Sequence, residues 1–199
     1  DQLDNIRENN DNDKWTFQWG NSTHMTKEIY NFLMGQHDTA EPIKWIWKSC
    51  CLPRHKFFCW LMLNDRINTC DLLTRKSFHL DSTSYVLCNN EDMEDRTHLL
   101  FSCPFSQNFW WNIGIEWNTD LYIHDMISDG KLRYNLPFFM EIVTIGCWSI
   151  WNQRNGLIFE NIPCSIASCK FNFTSTFKLT MMRAKPSLKD GMSSWIDNI

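Results

Sequence analysis

Hydrophobic positions in this chain recur mostly at intervals of three and four residues, which predicts helices separated by short polar breaks. One early stretch differs. In "KWTFQWG" the residues Trp15, Phe17 and Trp19 alternate with polar ones before Gly20 and Asn21, which predicts a short strand and a turn. A helix then carries Ile29, Tyr30, Leu33 and Met34 on one stripe, with Gly35 as its C-cap. The segment "EPIKWIWKSCCLP" predicts a short helix from about Pro42, limited by Pro53. Phe57, Trp60, Leu61 and Asn64 follow at i, i+3, i+4 and i+7, another helix, and Asn68 or Thr69 can cap the next one through Leu72, Leu73 and Lys76.

Residues 80–95 are polar and aperiodic, so they are expected to form a loop, with an apolar helical turn over 98–101. Pro104 begins a helix bearing Phe105, Phe109, Trp110 and Ile113, closed by Gly114. An acidic, mixed linker is expected over 116–134. Beyond it Pro137 opens a long helix to about Phe159, and Pro163 or Ser165 opens a last one to about Lys185. The expected class is mainly α: an irregular helical domain with a short N-terminal β-strand and turn and a knuckle-like loop. Four regions follow from this reading: a flexible acidic N-terminus (1–14), a strand and helix flank (15–40), a central module (41–115) and a C-terminal helical region (116–199).

Composition fits a folded chain. Hydrophobic residues make up 43%, and 11 Trp with 14 Phe demand extensive burial or a partner for an apolar face. The formal net charge of -4 conceals strong local bias. Residues 1–13 carry five acids against Arg7, and 80–103 carry five acids against Arg96. Over 44–79, seven cations (Lys44, Lys48, Arg54, Lys56, Arg66, Arg75 and Lys76) face two acids, and 170–189 adds five more cations. These basic segments suit a phosphate backbone, or else form solvated helix faces. An odd number of cysteines, nine, and an acidic N-terminus without an apolar signal core point to an intracellular protein, nuclear or cytoplasmic and not secreted. The sequons at Asn21 and Asn172 then carry no glycan. The run "LPFFMEIVTIGCWSIW" is broken by Glu141 and is too short for a bilayer, so no membrane association is expected.

Candidate chemistry gathers around the loop. Cys88, His98 and Cys103 are soft ligands, and His98-x4-Cys103 forms a pair that Pro104 can bring together by ending the turn at Cys103. A fourth zinc ligand would come from Asp92, Glu94, Asp95, Cys70 or water. The same residues also read as two buried thiols and a hydrogen-bonded histidine, and spacing alone leaves both readings open. The seven glycines are too scattered for a phosphate-cradling loop, and the sequence has no Gly-x-Ser-x-Gly, no His-Glu-x-x-His and no adjacent aspartates of the two-metal type. No small-molecule substrate is evident.

The residues from Trp45 to Trp117 resemble the reverse transcriptase zinc-binding domain at the C-terminal end of plant LINE-type, non-LTR retrotransposon polyproteins. The resemblance rests on Trp45-x-Trp47-Lys48, Pro53, Lys56, Phe57-Phe58-x-Trp60, Asp65-Arg66 with Asn68-Thr69, and then Cys88, His98-x4-Cys103-Pro104-Phe105 and Trp110. The flanks "WTFQWG", "IYNFLMG", "CWSIWNQRNGLIF" and "RAKPS" are similar to plant copies too. It implies that 41–115 is such a module, that Cys88, His98 and Cys103 are zinc ligands, and that the module engages retroelement RNA or DNA through Lys48, Arg54, Lys56, Arg66, Arg75 and Lys76, alongside a reverse transcriptase in cis or in trans. It also implies no enzymatic activity for this chain, which lacks the polymerase palm and its paired aspartates. Three positions depart from the pattern: Tyr85 stands where the first zinc cysteine belongs, Cys70 where arginine is usual, and Cys169 where tryptophan is usual. The zinc site is therefore incomplete, as in a decaying element copy. A metal-free helical remnant is the other expectation.

Overall fold

In the computed structural model, residues 39–80, 82–88 and 93–199 are described, and nearly every ordered segment among them is helical. The strand expected at Trp15–Trp19, the helix ending at Gly35 and the candidate ligand Asp92 lie outside the described residues. Prolines set half of the α-helix starts among the described residues. Pro42 and Pro53 occupy the first turns of α1 (Glu41–Lys48) and α2 (Pro53–Leu63), where a missing N–H costs nothing. Helix α3 (Cys70–Arg75) starts after Thr69, and Pro104 opens α4 (Pro104–Asn112), which closes beyond Ile113 with Gly114 at φ 75°. Between them lies a five-residue π-turn, His98–Ser102.

The linker expected over 116–134 is instead largely a helix, α5 (Ile123–Tyr134). Its core-facing stripe of Ile123, Met126, Ile127 and Gly130 has helical spacing, but it is narrow and set in charged sequence, so the pattern was weak. Asn135 in the left-handed conformation ends it, and α6 (Phe139–Glu160) follows. Helix α7 (Ile166–Met182) starts where Ser165 caps it by accepting a hydrogen bond from the Ser168 N–H, as expected. It stops at Met182, three residues before the expected end, and the chain then forms an additional helix, α8 (Pro186–Asp197).

Helix α6 is the axis of the core. Every residue from Phe139 to Cys147 is buried, the signature of a helix surrounded by others, and α1, α2, α5, α7 and the π-turn all pack on it. No helix among the described residues is long and apolar enough to cross a membrane. Residues 39–199 form one compact unit, so the stretches 41–115 and 116–199 share this core. The core's aromatics interlock, with Trp110 against Phe101, Phe109 and Trp117 at 5.2–6.0 Å between ring centroids.

Trp110 also ties the core to the loop chemistry. Its indole N–H donates to the Leu100 carbonyl of the π-turn at 2.7 Å, and its ring lies against the bare backbone of Gly146. A Cβ at Gly146 would come within 2.2 Å of that ring. Gly146→Ala is therefore expected to lower stability by about 1–3 kcal/mol through overpacking, measured by urea unfolding, and to loosen the π-turn. An unchanged midpoint would mean that the ring can move away freely.

Candidate functional site

The loop before His98 is held by short-range backbone pairing. Ser84 and Met93 form an antiparallel bridge, and the Glu94 N–H donates to the Thr83 carbonyl at 2.8 Å. Cys88 sits on the first arm of this excursion. His98 begins the π-turn, and Cys103 is the N-cap of α4. In an α-helix, residues five apart point well away from one another. The i→i+5 pattern of a π-turn instead brings them nearly into line, and the Cys103 N–H donates to the His98 carbonyl at 2.7 Å. Pro104 then starts α4 at once, so the π-turn and the proline together set the ligand spacing.

The three side chains converge. Cys88 Sγ lies 3.4 Å from His98 Nε2, and the candidate ligand atoms of Cys88, His98 and Cys103 all lie within 4.8 Å of one another. Tetrahedral zinc, with bonds of about 2.3 Å to sulfur and about 2.0 Å to nitrogen, spaces its ligand atoms about 3.5–3.8 Å apart. Two thiols and an imidazole at this separation fit the ion. Burial pushes the Cys103 thiol up to about 11; the backbone N–H groups of Phe105 and Ser106 oppose that shift, and the neighbouring Cys88 adds to it. A bound cation would reverse the balance by stabilising thiolates, which is how zinc binding displaces protons.

The fourth position is different. The Tyr85 hydroxyl donates to an Asp95 carboxylate oxygen and accepts from the Asp95 N–H at 3.2 Å, so it is engaged with Asp95. Burial, with that carboxylate beside it, raises its pKa and keeps it protonated. Its ring packs on His98 at 3.9 Å between centroids. Glu94, Asp95 and Cys70 are engaged elsewhere. Glu94 forms a buried ion pair with Arg154, Asp95 accepts from Tyr85 and from the Thr97 and His98 N–H groups, and the Cys70 thiol points toward the Ser82 carbonyl. Among the described residues, no further Cys, His, Asp or Glu joins the three. Of the fourth-ligand candidates, water remains, together with Asp92, which lies outside the described residues.

Residues 24–110 match the family model described as zinc-binding in reverse transcriptase. This stretch is similar to the zinc-binding domain found in reverse transcriptases. The match takes in Tyr85 and all three converging ligands, and it ends within α4. No curated protein and no solved structure gives a significant match to the chain.

The six cations expected to meet nucleic acid separate into two groups at opposite ends of α2. Lys48, Arg54 and Lys56 surround the α1–α2 corner, where Lys56 Nζ donates to the Trp47 carbonyl at 3.1 Å. Arg66 and Lys76 are exposed near the far end, roughly 15 Å away along an eleven-residue helix. Arg75 is there too, but Asp65 at 2.6 Å and Asp71 at 2.9 Å largely neutralise it. Two elements of the site went unread in the sequence. Asp95 caps the turn that carries His98, and an Asp just before a helical turn is a readable signal. Arg154, whose guanidinium holds Glu94, lies sixty residues from its partner, and nothing in the sequence links them.

Proposed function

We propose that this chain is a non-catalytic nucleic-acid-binding accessory module, derived from the C-terminus of a plant LINE-type, non-LTR retrotransposon reverse transcriptase. Its partners would be retroelement RNA or DNA and a reverse transcriptase in cis or in trans, inside the cell, in the nucleus or cytoplasm. The observation that carries this reading is the convergence of Cys88, His98 and Cys103 within the stretch that matches the family. These three would hold zinc, with water in the fourth place. The ion would supply a cross-link between the loop, the π-turn and α4, setting how the excursion stands on the helical body. The non-catalytic part rests on a sequence without adjacent aspartates of the two-metal type.

Protein purified from zinc-supplemented cells is expected to contain about one zinc per chain. Chelator should lower its unfolding midpoint by a few degrees without abolishing the fold, since most of the core lies away from the site. RNA binding should weaken steeply with salt. Tyr85, turned toward Asp95, favours a second reading, a metal-free helical remnant held by its aromatic core. Zinc content near zero with an unchanged midpoint in chelator would establish that one instead.

A further inference from the structure

We infer that the α1–α2 corner binds single-stranded nucleic acid, with Lys48, Arg54, Lys56 and Arg183 on the phosphates and Trp47 and Phe57 stacked on unpaired bases. This deepens the nucleic-acid reading proposed above and rests on it. Two observations converge on the corner. The first is aromatic: a chain that fully buries Trp110, Phe101, Phe109 and Phe139 leaves Trp47 52% and Phe57 54% exposed. Phe57 lies nearly flat on Trp60, with centroids 5.7 Å apart and planes 21° apart, so the pair presents a slab to solvent. Lys56 stands between the two exposed rings, next to Phe57 in sequence and bonded to the Trp47 carbonyl.

The second observation is charge. Among the described residues none of the four cations has an ion-pair partner. Arg183 arrives from the end of α7, where its Nε donates to the Cys50 carbonyl at 3.2 Å, so the cationic surface draws on parts of the chain 133 residues apart. Arg54 Nε is anchored on His55 Nε2 at 3.2 Å. Two acids lie near these four cations: Glu141 is buried and accepts the Cys50 N–H at 2.8 Å, and exposed Glu41 pairs with Lys44. The first turn of α2 contains no acid, which leaves its positive dipole end facing the same corner.

Cations alone would favour any phosphate backbone. Exposed rings add affinity only for bases whose faces are open, which a duplex hides within its stack. The preference for single strands follows from combining the two. The Arg66–Arg75–Lys76 group has its arginine clasped by two carboxylates and a single exposed apolar ring, Phe78, near it in sequence.

The test is fluorescence anisotropy with the full chain, zinc present, and labelled oligothymidylate and oligouridylate of about 12 nucleotides against a duplex of equal length. Single strands are expected to bind at least about tenfold tighter than the duplex, and Trp47→Leu and Phe57→Leu should each lose about tenfold for single strands only. Trp47→Phe and Phe57→Trp should restore that binding, because the aromatic face returns. Arg183→Gln should weaken both substrates and reduce the salt slope by about one. Circular dichroism and unfolding midpoints check that the variants fold. Equal binding of strand and duplex, with the leucine variants unaffected, would overturn the stacking inference while leaving the nucleic-acid reading standing. Absence of salt-sensitive binding to either substrate would overturn both.

Discussion

Glu94→Ala is expected to destabilise the protein by about 3–5 kcal/mol, the usual cost of stranding one member of a buried ion pair. The Glu94 and Arg154 side chains are 0% and 5% exposed, and two hydrogen bonds join them, Nη2 to Oε1 at 2.6 Å and Nε to Oε2 at 3.2 Å. The guanidinium also lies over the Trp151 ring at 4.9 Å and donates to Asn155 at 3.1 Å, so it cannot swing out to water without breaking those contacts. Alanine at 94 therefore leaves a cation in the interior with one hydrogen-bond partner. The double variant Glu94→Leu with Arg154→Met removes both charges and should recover most of the loss, since an apolar pair of similar volume avoids the desolvation cost. Urea unfolding of the two singles and the double measures the coupling. If Glu94→Ala costs less than about 1 kcal/mol, water reaches Arg154 and the pair does not clamp the loop.

This pair matters to the site because of what it joins. The backbone of Glu94 bonds to Thr83 across the excursion and accepts from the Asp71 N–H at the start of α3, while its side chain reaches α6. The arm carrying Cys88 is thus fastened to the core helix independently of any metal. Loss of the clamp should reduce zinc affinity as well as stability, a second readout from the same variants.

Much of this arrangement follows rules that act over a few residues, and those parts were legible. Proline in the first helical turn marked α1 and α4, Ser165 marked α7, and Gly114 closed α4 because a glycine takes a positive φ at little cost. The class was legible for the same reason, as helical periodicity dominates the chain. The misses have other causes. Helix α5 shows only a narrow apolar stripe within charged sequence, and α8, with Met192 and Ile196 buried, follows a tail read only as basic. The π-turn depends on how Trp110 and the core hold Leu99 and Leu100, which no local pattern encodes. In the sequence, Glu94 and Asp95 stand in an acidic run and offer themselves as fourth zinc ligands. Their partners, a distant arginine, a tyrosine and two backbone amides, make them internal supports instead.

Tyr85→Cys is expected to raise zinc affinity by about 10²–10³-fold, from a quarter share of the ~10–16 kcal/mol that a complete four-ligand site contributes. The Tyr85 ring already packs against His98, so a thiol at this position starts close to the ligand cluster. The same change has an opposing effect on the metal-free protein. It empties the space of a buried ring and removes both hydrogen bonds that Tyr85 makes with Asp95, the residue whose other oxygen caps the His98 turn. Without metal, Tyr85→Cys should therefore unfold more easily than the parent, and with zinc it should be the more stable of the two. That crossover distinguishes a fourth ligand from a generally better core. Competition with a chromophoric chelator measures the affinity, and thermal unfolding with and without zinc measures the crossover. Tyr85→Phe is the control: it keeps the ring on His98, loses only the hydroxyl bonds and should leave zinc affinity within a few-fold of the parent. If Tyr85→Cys gains no affinity, position 85 does not point into the cluster, and tyrosine is then a structural partner of His98 and Asp95 rather than a lost ligand.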